Sequence, residues 1–67
     1  MPTTIGQRLR QLREERRMTM RSAAKAIGVS YRTWNSWEYD ERVPRDEYKK
    51  MIADYFGVSV QQIFFAE

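Results

Sequence analysis

Apolar residues recur along this chain at helical spacing. Ile5, Leu9 and Leu12 stand at i, i+4 and i+7, while Tyr48, Met51, Ile52, Tyr55 and Phe56 stand at i, i+3, i+4, i+7 and i+8. Side chains so spaced share one face of a helix with about 3.6 residues per turn. No segment alternates apolar and polar residues as a half-buried strand does. Small polar residues precede the stripes. Thr4, with Gln7 three residues on, forms a capping box for a first helix. Thr19 caps a second, about Met20 to Ile27, with Met18 and Ala23 as a hydrophobic staple. Ser30 caps a third, stapled by Val29 and Trp34, and Ser59 with Gln62 a short last one, stapled by Val58 and Ile63. Gly28 and Gly57 supply the stops, since glycine adopts the left-handed conformation of a helix end at low cost. Pro44 favours a fresh helix start, and Asp46 and Glu47 suit its first turn. Arg16 falls on the first helix's stripe, so the helix ends there or the stem packs while the head reaches water. The pattern predicts a compact all-α fold of five helices.

The unit from Met20 to Tyr39 is a short helix, a tight turn at Gly28 and a second helix. Helices joined by so few residues cross steeply, and a close crossing needs a small residue, here Ala24 beside Ala23. Ile27, Val29, Trp34 and Trp37 supply the apolar contacts of the pair, with both tryptophans in the core. At about 100° per residue, Arg32, Asn35, Ser36 and Tyr39 face away from those tryptophans, and Tyr31 stands at the exposed N-terminal edge.

Composition narrows the function. The chain has 67 residues, which bounds it to one domain, residues 1–67. Without cysteine or histidine, neither a disulfide nor the usual zinc ligand set can be built. Glu14-Glu15 and Asp40-Glu41 are adjacent surface pairs rather than facing acid–base couples, so no enzyme activity, metal, cofactor or small-molecule ligand is expected. No stretch approaches the roughly 18 apolar residues of a membrane span. The N-terminal segment lacks a signal peptide's basic and apolar regions, and a cytoplasmic location is expected. Net charge is +3, unevenly spread: residues 1–33 hold eight basic side chains against two acidic, and residues 34–67 hold four against seven. That asymmetry suggests a polyanion partner for the N-terminal half.

The run Met20-Arg21-Ser22-Ala23-Ala24-Lys25-Ala26-Ile27-Gly28-Val29-Ser30, through Trp34 and Trp37-Glu38, resembles the helix-turn-helix of lambda-repressor-like, Cro-type (XRE family) regulators. Ile52-Ala53 and Phe56-Gly57-Val58-Ser59 resemble the later helices, and the likeness spans about residues 4–65. It implies a sequence-specific regulator of transcription binding double-stranded DNA, with a repressor of phage or mobile-element type as the expectation. The alternative on the same fold is a protein-interaction module such as an antitoxin or adaptor. The resemblance makes residues 31–39 the recognition helix in the major groove, with Tyr31, Arg32, Asn35 and Ser36 at base edges. Met20 through its backbone amide, Arg21, Tyr39 and Arg42 would contact phosphates, with Arg8, Arg10 and Arg17 as weaker candidates. Met20 stands where many members carry glutamine, and Asp40 where many carry glycine. Arg13 and Glu38 are expected to form a partly buried ion pair between the first and third helices. Members of this size usually bind as dimers. Val60, Ile63 and Phe64 share one stripe and should face the core, which leaves Phe65 exposed as the candidate homodimer contact. With no separate effector domain expected, control would come from concentration, a partner or proteolysis.

Overall fold

Thr4, Thr19 and Ser30 each hold extended backbone just before a helix, and each side-chain oxygen accepts a hydrogen bond from the amide three residues on. In the computed structural model, which describes residues 3–65, these caps open α1 (Ile5–Glu15), α2 (Met20–Ile27) and α3 (Tyr31–Glu38). Two further elements follow: α4 (Asp46–Phe56) and a π-helical turn, Gln61–Phe65. Gln7 returns the bond to the Thr4 amide, as the capping box requires, and Ser22 does the same for Thr19. Met1, Pro2, Ala66 and Glu67, which enter the sequence reading through the N-terminal segment and the charge balance, lie outside the described residues.

Gly28 (φ 90°) and Gly57 (φ 70°) close α2 and α4 in the left-handed region, as their positions predict. Val29 and Val58 then donate back to the carbonyls of Ala24 and Ala53. Ser59 and Gln62 also make their expected bonds, but the last element winds wider than an α-helix. α4 begins two residues after Pro44, with Arg45 as an N-cap that makes no side-chain bond. The acids of its first turn, Asp46 and Glu47, compensate for that missing cap.

α3 is the central element, packed on both α1 and α2, while α4 rests on α2 and the π-helical turn on α1. Trp34 has no exposed surface and touches Trp37 edge-on at 5.7 Å. Burying a ring of this size removes roughly 200 Å2 from water, worth about 5 kcal/mol before entropy is counted. Leu9, Ala23, Ala24, Ile27, Ile52, Ala53, Phe56, Ile63 and Phe64 complete the core. Met51 and Tyr55, read as part of the α4 stripe, are 45% and 43% exposed. The buried edge of α4 centres on Ile52, Ala53 and Phe56 instead. α2 and the two α3 tryptophans, which meet Phe56 and Tyr48, cover one edge of α4 and leave the Met51–Tyr55 edge open.

Two features brace the frame beyond the core. The Arg16 guanidinium donates to the carbonyls of Phe56 (2.7 Å) and Tyr55 (3.4 Å), closing the C-terminal end of α4 from outside. α1 ends at Arg16, its C-cap, as the first alternative expects, and the head bonds backbone carbonyls rather than simply reaching water. Gly6 is buried, and a Cβ placed on it would lie 2.2 Å from the Glu38 carbonyl oxygen. α1 and the end of α3 thus meet backbone to backbone, and only glycine fits there.

Candidate nucleic-acid interface

The recognition-helix candidate is oriented by its own last residue. Glu38 ends α3 with its side chain fully buried. A buried carboxylate is costly unless it is paired and hydrogen-bonded. Arg13 satisfies it with two N–H donors, at 2.6 Å and 3.1 Å, and the Trp34 indole donates to the same carboxylate. Arg10 adds a third cationic contact at 3.5 Å. Arg13 also donates to the Met18 carbonyl at 2.8 Å, tying the α1–α2 turn into the cluster. The hydrogen bond to Glu38 raises the Arg13 pKa above its ordinary value, with desolvation opposing. The expected pair exists, and it is the centre of a larger network that includes Arg10 and Trp34.

Asp40 follows in the left-handed region, φ 59°. Asparagine and aspartate tolerate that region better than most residues. Its carboxylate accepts the Gly6 amide at 2.9 Å, placing a negative charge on the first turn of α1, which has no acid of its own. An aspartate in place of glycine therefore keeps the turn and adds a clamp.

The outward face of α3 differs in one respect from the helical-wheel reading. Tyr31 (41%), Arg32 and Tyr39 (56%) are exposed as expected, and Asn35 is half-buried. Ser36 is not exposed: 9% of it is accessible, and its hydroxyl donates to the Thr33 carbonyl at 2.7 Å. The turn after α3 covers it, because the amides of Glu41 and Arg42 both return to the Ser36 carbonyl. The Ser36 hydroxyl, buried and spent on backbone, does not reach outward as the base-edge contact expected of it. It forms the floor of a cleft of about 240 Å3 whose rim carries Arg32, Asn35, Glu41 and Arg42. Asn35 donates to the Met20 sulfur at 3.5 Å, so α2's first residue positions the amide. Tyr39 is the C-cap of α3, and the Arg10 guanidinium lies 5.5 Å above its ring.

Around this face the cations divide into two sets. Arg8, Arg10, Arg13 and Arg16 are engaged within the fold, Arg8 through a 2.7 Å bond to the Ile63 carbonyl. Among the described residues, Arg32, Arg42 and Arg45 have no carboxylate within ion-pair distance. Arg45 lies outside the residues that the family resemblance points to, although a basic residue just before a helix start is a legible signal. It shares a cavity of about 400 Å3 with Arg42, Ser30, Thr33 and Tyr48, between the helix-turn-helix turn and the start of α4. Arg21 lies with its guanidinium 4.7 Å over the Tyr31 ring.

A helix-turn-helix frame with an outward second helix and a basic rim defines a class of domain, and comparison with known proteins agrees. The helix-turn-helix domain model matches residues 4–63, and the chain belongs to that family. Two solved structures share the fold. The P22 c2 repressor in complex with a synthetic operator superposes with a TM-score of 0.91 at 21% identity, covering 98% of this chain and all of that one. The solution structure of the DNA-binding domain of the P22 c2 repressor gives 0.84 at 23% identity, covering 91% of this chain and 80% of that one. No characterised protein sequence matches by direct comparison. No helix among the described residues is long and apolar enough to cross a membrane.

Proposed function

We propose that this protein binds double-stranded DNA at specific sequences and regulates transcription, as a repressor, from a cytoplasmic location. The observation that carries the reading is the cleft on the outer face of α3. Arg32, Asn35, Arg42 and one acid, Glu41, surround it, and neither arginine is within ion-pair distance of that or any other described carboxylate. A solvated protein surface gains little from collecting cations there, whereas a polyanion neutralises them and releases counterions. The solved P22 c2 repressor complex with its operator supports the same reading.

In this reading α3 lies in the major groove. Arg32 and Asn35 reach base edges, an arginine being suited to guanine and an asparagine to adenine. The Met20 amide, Arg21, Tyr39, Arg42 and Arg45 hold phosphates on either side, and Tyr31 stands at the groove edge beside Arg21. Ser36 takes no part. Residues 1–67 act as one domain with no catalytic role, and two copies bind a two-fold site. Selection of bound sequences from a random duplex library tests the proposal. The expected result is a defined motif with half-sites about one helical turn apart, bound with strong salt dependence. Enrichment of no motif, with no shift at low salt, would sink it.

A further inference from the structure

Three arginine side chains lie over aromatic rings among the described residues: Arg10 on Tyr39, Arg16 on Tyr55 and Phe56, and Arg21 on Tyr31. The first two also spend in-plane donors inside the protein, Arg10 near the Glu38 carboxylate and Arg16 on the α4 carbonyls. Arg21 has no carboxylate and no hydrogen bond of this kind, and its guanidinium comes nearest to a ring centroid of the three, at 4.7 Å. Both members of the stack are exposed, and they come from different helices: Arg21 from the first turn of α2, Tyr31 from the start of α3.

We propose that Arg21 and Tyr31 act as one phosphate-holding unit, in which the Tyr31 ring fixes the guanidinium by its face and leaves the edge to the DNA backbone. The proposal rests on the DNA-binding reading above and deepens it. A guanidinium is planar: rings bind its face, and phosphate oxygens bind its edge through parallel N–H bonds. The two uses do not compete. A free arginine loses rotamer freedom when a phosphate fixes it, and a stacked one has lost much of it already. Tyr31 is then a positioning residue that works through Arg21, and its hydroxyl reads no base. The arrangement also sets the phosphate clamp of α2 in register with the first residue of α3, so backbone contact and groove entry are fixed together.

The test uses the full chain and the duplex obtained by selection, with Tyr31→Phe, Tyr31→Leu, Arg21→Ala and the Arg21→Ala/Tyr31→Leu double variant. Tyr31→Phe keeps the ring and loses the hydroxyl, so its Kd should stay within about twofold of wild type. Tyr31→Leu should weaken binding about two- to tenfold, the range set by the rotamer freedom that an unstacked arginine loses when a phosphate fixes it. The loss should be equal on every single-base variant of the site, because phosphates carry no sequence information. Arg21→Ala should lower the salt slope by about 0.9, one phosphate contact. In the Arg21→Ala background, Tyr31→Leu should cost nothing further. In the free protein, Tyr31→Leu should also abolish the upfield ring-current shift of the Arg21 side-chain protons, which no DNA is needed to observe. Tyr31→Phe as damaging as Tyr31→Leu, a Tyr31 effect confined to one base pair, additive losses, or an absent ring-current shift would each overturn the unit. If the wild type binds no duplex at all, the DNA reading fails with it; if it binds and the losses add, only the pairing fails.

Discussion

Glu38 shows how one residue can decide the use of a whole helix. Its carboxylate is removed from water and held by Arg13, Arg10 and the Trp34 indole, from α1 and from one turn earlier in α3. Glu38→Ala leaves the Arg13 guanidinium, 12% exposed, without its partner and the indole without an acceptor. Loss of one member of such a pair costs about 3–5 kcal/mol. Thermal unfolding should show a large drop in midpoint, and a double-mutant cycle with Arg13→Ala should show strong coupling. Coupling near zero would reduce the cluster to a surface contact. Arg32 sits at the opposite pole, exposed and unpaired. Arg32→Ala should leave the melting midpoint nearly unchanged, weaken specific binding by about 1–3 kcal/mol and relax the preference at one base pair. Competition with single-base variants of the site measures this, and an equal loss on all of them would make Arg32 a phosphate contact instead.

Two glycines act on the scale of elements, for different reasons. At Gly28 an added Cβ meets nothing within 4 Å, so the cost of substitution is purely that of the backbone at φ 90°. Gly28→Val should destabilise by more than about 1 kcal/mol, since β-branched residues tolerate positive φ poorly. An unchanged denaturation midpoint would contradict the left-handed assignment. Gly6 has ordinary helical geometry and no room: the Glu38 and Trp37 carbonyls would lie 2.2 Å and 2.8 Å from a Cβ. Gly6→Ala must push α1 away from the end of α3, at about 1–3 kcal/mol or more. The same shift pulls the Gly6 amide from Asp40. Gly6→Ala should therefore lower both thermal stability and DNA affinity, whereas Gly28→Val should act mainly on stability. Full affinity in a folded Gly6→Ala variant would show that the α1–α3 contact does not orient the recognition helix.

The whole molecule extends 28 × 23 × 21 Å, less than the roughly 34 Å between successive faces of a major groove. On the proposed reading one copy would cover one half-site, and a single module offers limited specificity. Phe65 is 63% exposed at the end of the π-helical turn, while Ile63 and Phe64 are buried, as their stripe requires. The Lys49 ammonium lies 5.3 Å from the Phe65 ring centroid, so the aromatic is held on the surface rather than folded inward. Phe65→Glu should lower cooperativity on a full site while sparing half-site affinity and the melting midpoint. Sedimentation of the wild type with and without a full-site duplex supplies the stoichiometry. One protein chain per full site at saturation would end the dimer proposal.

The local signals were determined by the sequence alone. Thr4, Thr19, Ser30 and Ser59 act on amides three residues away, and Gly28 and Gly57 on their own backbone, so helix number and most boundaries need only neighbours along the chain. The Trp34–Trp37 core edge and the exposure of Arg32 and Phe65 follow from helical period in the same way. What the tertiary structure decided was every contact made between distant segments. Ser36 is covered by a turn whose path depends on Asp40 reaching Gly6, 34 residues earlier. Met51 and Tyr55 belong to an apolar arc wider than the surface that α2 and α3 lay on it. Gly6 looks like an ordinary helical residue until α3 arrives against it. Arg10 and Arg16 look like surface charges until a carboxylate and two carbonyls come within reach. Periodicity states which side of a helix is apolar, but the width of the face that is actually buried, and the partner of each charge, are set by the neighbouring backbone.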